Sequence, residues 1–525
     1  MIAVNPYDRR VTAILLDFFD HRTPWQRRLW AVGLTLSIRE VLEGCEAFQR
    51  GVLSERALKD LCHTVEVAAG RDPGVGSAEQ CRLLQVTLPR LPRPDGADFR
   101  LLRQILERIE GAYLKRWSQA FAGPNSRPRE ERAARAIATH LLDSGFSSTY
   151  LHRWWSYRIH HEPWSRTLAE LLEDAHDLVT SPSKNFDILV AFVAAPRSRA
   201  DMPPEWRNAA QVSEWLKEND FDPAGLRQGG GMLLRVDARD TWAAIDEVLE
   251  KIERLVARVA VGTRSQLQVH PQAWVRGERK TFNLRRSRRG VEIHALDREN
   301  SLYTQTVMDS IDAALELIEP LDNGSPGPAV AGGWAAVEAL LLGPGDTGDR
   351  GVAGDRLASL VACSFPRAEL TTLAYAHQKA STDSLANQIS AASTNRDRAA
   401  LVADALSKNI ALQLKSDSDR LAEQRLKDLL QQPRMVLLDI EEHAKRALRR
   451  LYRQRNLVLH WGRMNAVSLR AALRTSAPLV GAGMDRVAHA WFTANTNPLE
   501  LAARARLSLD LLGSADGCLP VDLLE

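Results

Sequence analysis

Apolar residues recur at three- and four-residue steps over 11–19, 27–48, 55–69 and 99–121, the period of an amphipathic helix. Breaks at Arg71-Asp72-Pro73-Gly74 and Leu91-Pro92-Arg93-Pro94-Asp95-Gly96 separate them. Two or three more helices are expected over 128–178, carrying Trp154, Trp155 and Trp164. Near Pro182 the pattern changes. Residues 186–194 (FDILVAFVA) form an unbroken apolar run of a buried strand, and 232–237 (MLLRVD) a second. A short helix lies between them at 212–217, Asp240 is placed to cap an amphipathic helix running to residue 259, and 266–275 and 281–296 read as further strands. Beyond residue 301 the helical period returns at 303–317, 334–342, 356–363, 370–376, 398–406, 418–430, 435–452, 467–473, 484–491 and 498–512, with Gly-rich connections at 322–333 and 343–354. The expected fold class is mainly α: an N-terminal helical region (1–180), a small α+β domain (181–300) and a C-terminal all-helical bundle (301–525). A chain of 525 residues is too long for one core in any case.

Composition narrows the class. The net charge is only +3, so a nucleic-acid partner must be argued from local charge. Five widely spaced cysteines (Cys45, Cys62, Cys81, Cys363, Cys518) form no Cys-x-x-Cys and fit a reducing cytosol. The N-terminus lacks the basic and apolar regions of a signal peptide, and no window approaches eighteen uninterrupted apolar residues. A cytoplasmic protein without a membrane partner is expected. His152, His160, His161 and Glu162 do not share a helix face and Pro163 interrupts them, so no metal site is assigned and no cofactor is expected. Gly229-Gly230-Gly231 precedes a strand and no Gly-Lys-Ser/Thr follows, so it reads as a turn and not as a phosphate loop.

Charge concentrates in two places. Between 276 and 289, seven cations (Arg276, Arg279, Lys280, Arg285, Arg286, Arg288, Arg289) face one acid, Glu278, with Trp274 and Phe282 interleaved. This stretch reads either as a groove for an RNA backbone with stacking or as a solvated hairpin whose cations blunt an edge strand. The second place is the helix from Met435, rich in Arg and Lys, which leads into Arg455-Asn456-Leu457-Val458-Leu459-His460-Trp461-Gly462. Ile440, Ala444, Leu448, Leu451, Arg455 and Leu459 fall on one stripe, putting Arg455 in line with core residues and Arg446, Arg450 and Arg453 toward the other side. A guanidinium on a packing face needs a partner or a functional anion. Asn456 and His460 are four apart and share a face if the helix continues, whereas Arg455 and His460 are about 140° apart on an ideal helix. A cation, an amide and a titratable base suit chemistry on a phosphodiester. The plainer alternative is a buried Arg paired with a carboxylate and a His that ends a helix before Gly462.

Arg455-Asn456-Leu457-Val458-Leu459-His460 resembles the Arg-Asn-x-x-x-His motif of HEPN-superfamily ribonucleases. Trp334-Ala335-Ala336-Val337-Glu338-Ala339-Leu340-Leu341 and the His460-Trp461-Gly462 ending are similar to the ApeA-like branch, so the resemblance spans 300–515. It implies a metal-independent endoribonuclease of antiviral, abortive-infection defence, with paired HEPN domains as a homodimer and RNA as substrate. On that resemblance Arg455 and His460 are catalytic, Asn456 supports them, and Glu338 matches a helix residue open to orienting Arg455. The RNA backbone is expected on Arg449, Arg450 and Arg453 and on Arg279, Arg285, Arg286, Arg288 and Arg289. Residues 1–300 would sense a phage-derived or nucleotide trigger. An alternative from another class is an RNA-binding or guide-RNA-dependent effector whose HEPN domain mainly dimerises. A nucleotidyl transferase is disfavoured, because no Gly-Ser with paired Asp stands where strands end.

Overall fold

A computed structural model describes residues 5–122, 127–160, 166–194, 202–303, 310–346 and 350–524. Most of these residues are helical and one small antiparallel sheet interrupts them, so the fold is mainly α with a small α+β region. His161, Glu162 and Trp164, with the side chain of His160, lie outside the described residues. No helix among the described residues is long and apolar enough to cross a membrane.

The chain divides into two compact units, the first made of Met1–His140, Ile159–His176 and Arg288–Glu525 and the second of Leu141–Arg158 and Asp177–Ser287. The three-part division expected from sequence differs from this, because the N-terminal helices fold together with the C-terminal ones.

In the second unit, strands β1 (Lys184–Phe192), β2 (Trp206–Arg207), β3 (Gly230–Ala238), β4 (Val269–Val275) and β5 (Phe282–Asn283) form one sheet in the order β2-β3-β1-β4-β5. The register of β1 on β3 runs from Lys184 opposite Ala238 to Phe192 opposite Gly230. β1 is apolar throughout its second half because both faces are covered. Ile188, Val190 and Phe192 pack with residues of the helix Thr241–Thr263, and Leu189 and Ala191 with Val212, Trp215 and Leu216 of the helix Ala209–Glu218. Asp240 caps the Thr241–Thr263 helix, accepting from the Ala243 amide at 3.0 Å. The strand expected over 281–296 shrinks to Phe282–Asn283, paired with Gln272 and Ala273.

In the first unit, one core joins the helices Ser310–Asn323, Pro326–Leu341, Val352–Ala380, Pro433–Trp461, Leu469–Ala494 and Pro498–Leu511. Several breaks expected from sequence are helical. The 322–333 connection is mostly the start of Pro326–Leu341, and its glycines serve close packing: a Cβ on Gly332 would lie 2.3 Å from the Leu317 carbonyl oxygen, and one on Gly333 2.9 Å from the Leu321 side chain. The segments 356–363 and 370–376 are parts of one helix that runs through Pro366, and 467–473 and 484–491 join through Pro478. Conversely, 99–121 is two helices, Ala97–Glu110 and Tyr113–Ala122. Residues 304–309 of the helix expected at 303–317 lie outside the described residues; its remainder extends to Asn323.

Buried ion pairs attach the N-terminal segment to this bundle. Arg27 is bonded to Glu369 at 2.9 Å and to Asp419 at 2.7 Å. Glu40, on the helix Leu34–Gln49, lies 2.9 Å from Arg450 and 3.4 Å from Arg453 of the helix Pro433–Trp461. Ser468 donates to the same carboxylate at 3.0 Å and accepts from Gln454 at 2.7 Å. Burial alone would raise the Glu40 carboxyl, but Arg450, Arg453 and Ser468 outweigh it and hold it below its ordinary value. Removing one partner of such a buried set strands the others' charge, at about 3–5 kcal/mol. Glu40→Ala is therefore expected to destabilise the first unit by about 3–5 kcal/mol in urea unfolding. A loss below 1 kcal/mol would show that water or another group neutralises the two guanidiniums.

Candidate active site

The helix Pro433–Trp461 is continuous through the whole Arg-Asn-x-x-x-His stretch. Pro433 opens it and Gly462 ends it in the left-handed conformation (φ 68°), with the Gly462 amide donating to Val458 and the Arg463 amide to Leu457. His460 thus sits on the last turn, exposed to solvent. The angular gap from Arg455 is closed by the length of the arginine. Its Nη1 donates to Asn456 Oδ1 at 3.0 Å and meets His460 Nε2 at 3.0 Å. A guanidinium carries only donors, so in this contact Nε2 is on the accepting side.

These three residues line an open pocket of about 560 Å³ with Arg50, Gly51, Val52, Arg350 and Tyr452. Among the described residues that line it there are three guanidiniums and no carboxylate. Among the described residues neither Arg50 nor Arg455 has a carboxylate within ion-pair distance. Arg350 is 3.7 Å from Glu338.

The Trp334 helix supports this pocket. Trp334 is fully buried and its ring lies 4.9 Å from that of Tyr452, while Glu338 reaches Arg350 and not Arg455. Each of these two residues therefore touches a residue of the pocket wall. The Trp461 ring is approached by two guanidiniums, Arg50 at 5.0 Å and Arg463 at 4.7 Å from its centroid.

The stripe inferred for this helix needs correction. Leu459 is 51% exposed and Arg455 half-exposed, whereas Arg450 and Arg453 are buried against Glu40. The N-terminal helix covers the face that sequence alone assigns to solvent. Burial lowers the Arg453 guanidinium from its ordinary value despite Glu40. Arg450 and Arg453 are thus withdrawn from the RNA-facing set. Arg449 is bridged to Asp60 at 3.0 Å and Asp355 at 2.8 Å, so its charge is also matched. In the second stretch, Arg286 is held against Glu250 and Glu253, and Arg289 donates to the carbonyls of Leu321 and Gly324. Both are structural cations. Arg279, Arg285 and Arg288 are exposed, with Arg288 3.7 Å from Asp322.

Sequence reasoning missed Arg50, Arg350 and Tyr452. Arg50 ends a helix some four hundred residues before the motif, and Arg350 sits in a Gly-rich loop, so neither carries a periodic signal. Comparison with protein-family models, with curated proteins and with solved structures returned no match to this chain.

A titratable group lies just behind the pocket. Glu43 accepts from the Val467 amide and, at 3.1 Å, from Arg463. Burial nevertheless pushes its carboxyl up to about 7, with Val467 and Arg463 pulling the other way and Glu40 adding to the rise. The folded chain therefore keeps a proton that the unfolded chain, near 4.5, has released. Glu43 contributes stability below pH 4.5 that is lost as pH rises to about 7. Unfolding titrations should show Glu43→Gln gaining on wild type across that window and levelling off above it. A difference that stays flat from pH 4 to 8 would contradict this assignment.

Proposed function

We propose that the pocket is the catalytic centre of a metal-independent endoribonuclease of the HEPN type. The observation that carries the reading is the Arg455–His460 contact at 3.0 Å, on the wall of a pocket whose described lining has three guanidiniums and no acid. Such a lining attracts an anion and offers little to a divalent cation. A phosphodiester brought to Arg455 would draw its guanidinium away from the imidazole. His460 Nε2, freed of that donor, then accepts the 2′-OH proton, and Arg455 stabilises the charge that develops on the phosphorane oxygens. In-line attack leaves a 2′,3′-cyclic phosphate on one product and a 5′-OH on the other. Asn456 holds Arg455 by its side-chain carbonyl.

One histidine serves only one of the two proton transfers. The reading therefore includes a second copy of the chain that supplies the acid for the leaving oxygen. Leu459, Met464 and Val467, exposed on either side of His460 in sequence, are apolar surface that such a pairing would cover. It also includes a role in antiviral defence in the cytoplasm, with cleavage released by a trigger.

Cleavage of single-stranded RNA in EDTA tests the core of the proposal. His460→Ala and Arg455→Ala are each expected to lower the rate by about 10²–10⁴, and a 2′-deoxy substitution at the scissile position should stop the reaction. If both variants cut as fast as wild type, the site assignment fails.

A further inference from the structure

The pocket contains a cation that the catalytic reading leaves unused. Arg50 stands at the end of the helix Leu34–Gln49, where Gly51 turns the chain with a left-handed φ of 72°. The ordinary role for an arginine there is to satisfy the last carbonyls of its own helix or to pair with a nearby acid. Arg50 does neither among the described residues. Its guanidinium lies over the Trp461 ring at 5.0 Å and faces the pocket. The contrast with Arg463, on the same indole, is informative. Arg463 lies 3.1 Å from Glu43 and 4.0 Å from Glu46. Two guanidiniums share one ring, and among the described residues only Arg463 has carboxylates within 4.0 Å.

The position of Arg50 relative to Arg455 is built in. Glu40 and Glu43, on the helix that ends in Arg50, are bonded to Arg450, Arg453, Ser468, Arg463 and Val467, on both sides of the Arg455–Trp461 turn. A residue held this firmly beside a catalytic pocket, exposed and without a carboxylate, is set up for an anion that arrives with a ligand. The pocket volume of about 560 Å³ falls within the roughly 300–1,000 Å³ of small-molecule sites and exceeds what one phosphate needs.

We propose that Arg50 is a substrate-contacting residue: it takes a second phosphate of the single-stranded RNA whose scissile phosphate is held by Arg455, with Trp461 keeping its guanidinium turned to the pocket. This rests on the ribonuclease reading for the identity of the chain and on the pocket lining for the contact. The N-terminal region thereby supplies part of the substrate site itself. Arg350, partly matched by Glu338, contributes a weaker third cation on the same wall.

The test uses the full chain and two oligonucleotides of one sequence, a cleavable RNA and a fully 2′-O-methylated copy that cannot be cut. Binding of the methylated copy is followed by fluorescence anisotropy across salt concentrations, and cleavage of the RNA gives KM and kcat. Arg50→Ala and Arg50→Gln are expected to raise Kd and KM about 10-fold. They should leave kcat within about threefold and make the salt slope shallower by about 0.7, one phosphate contact on a single strand. Arg50→Lys should keep the slope. His460→Ala should abolish kcat with Kd unchanged. If wild type cleaves and the two charge-removing variants match it in KM and salt slope, the Arg50 contact is overturned while the nuclease reading stands. If wild type binds the methylated strand with an Arg50-dependent slope but cuts no RNA, the contact stands and the nuclease reading falls. Absence of binding by wild type overturns the contact outright.

Discussion

The first unit depends on one buried carboxylate. Glu40 is taken from water and placed between Arg450 and Arg453, with Ser468 and Gln454 completing the hydrogen bonds. Desolvating three charges is costly, and only near-ideal geometry recovers that cost, so such a set specifies one arrangement more than it adds stability. The arrangement it specifies is the side-chain attachment of the helix Leu34–Gln49 to the C-terminal half of Pro433–Trp461. Arg453 is two residues from Arg455, and Arg50 is ten residues from Glu40 on a rigid helix. Fixing the ion pair fixes both walls of the pocket.

Charge along this helix is sorted by how it is matched. Lys445, Arg446 and Arg449 bridge to Glu441, Glu442, Asp60 and Asp355, and Arg450 and Arg453 share Glu40. Arg455 alone in that series bonds to an amide and an imidazole in place of an acid. The total charge of +3 therefore says little about the field at the pocket, whose described lining has three guanidiniums and no acid. The Arg455–His460 contact is also weak enough to exchange. A neutral imidazole is a poorer acceptor for a guanidinium than a phosphate is, so a phosphate-type anion at this pocket would compete for the hydrogen bond.

Arg455, Asn456 and His460 were legible because they are local. Six consecutive residues on one helix carry the whole contact, and helical periodicity predicts which side chains can meet. Trp334 and Glu338 were legible as one turn of a second helix, although what they touch, Tyr452 and Arg350, was not. Arg450 and Arg453 were misread because a row of cations on a helix normally faces water. Their counter-charge lies about four hundred residues away in a segment with no pattern relating it to them. Arg50 was missed for the same reason. The helix breaks misjudged at Gly332, Gly333, Pro366 and Pro478 reflect a further limit. Glycine and proline punctuate isolated chains, but a tightly packed bundle uses glycine for close approach and tolerates a lost donor when both flanks are anchored.

By itself, the sequence determined the class of the fold, since periods of 3.6 and of unbroken apolar runs dictate which segments must bury a stripe and which both faces. It also put Arg455, Asn456 and His460 within mutual reach, because an arginine is long enough to span five residues of its own helix. Tertiary structure decided which cations are free. Burial and pairing are properties of where distant segments meet, and they turn Arg450 and Arg453 into a structural clasp while leaving Arg50 and Arg455 without a carboxylate partner among the described residues. The same decision joins the N-terminal helices to the C-terminal bundle, making the segment that carries Arg50 part of the pocket.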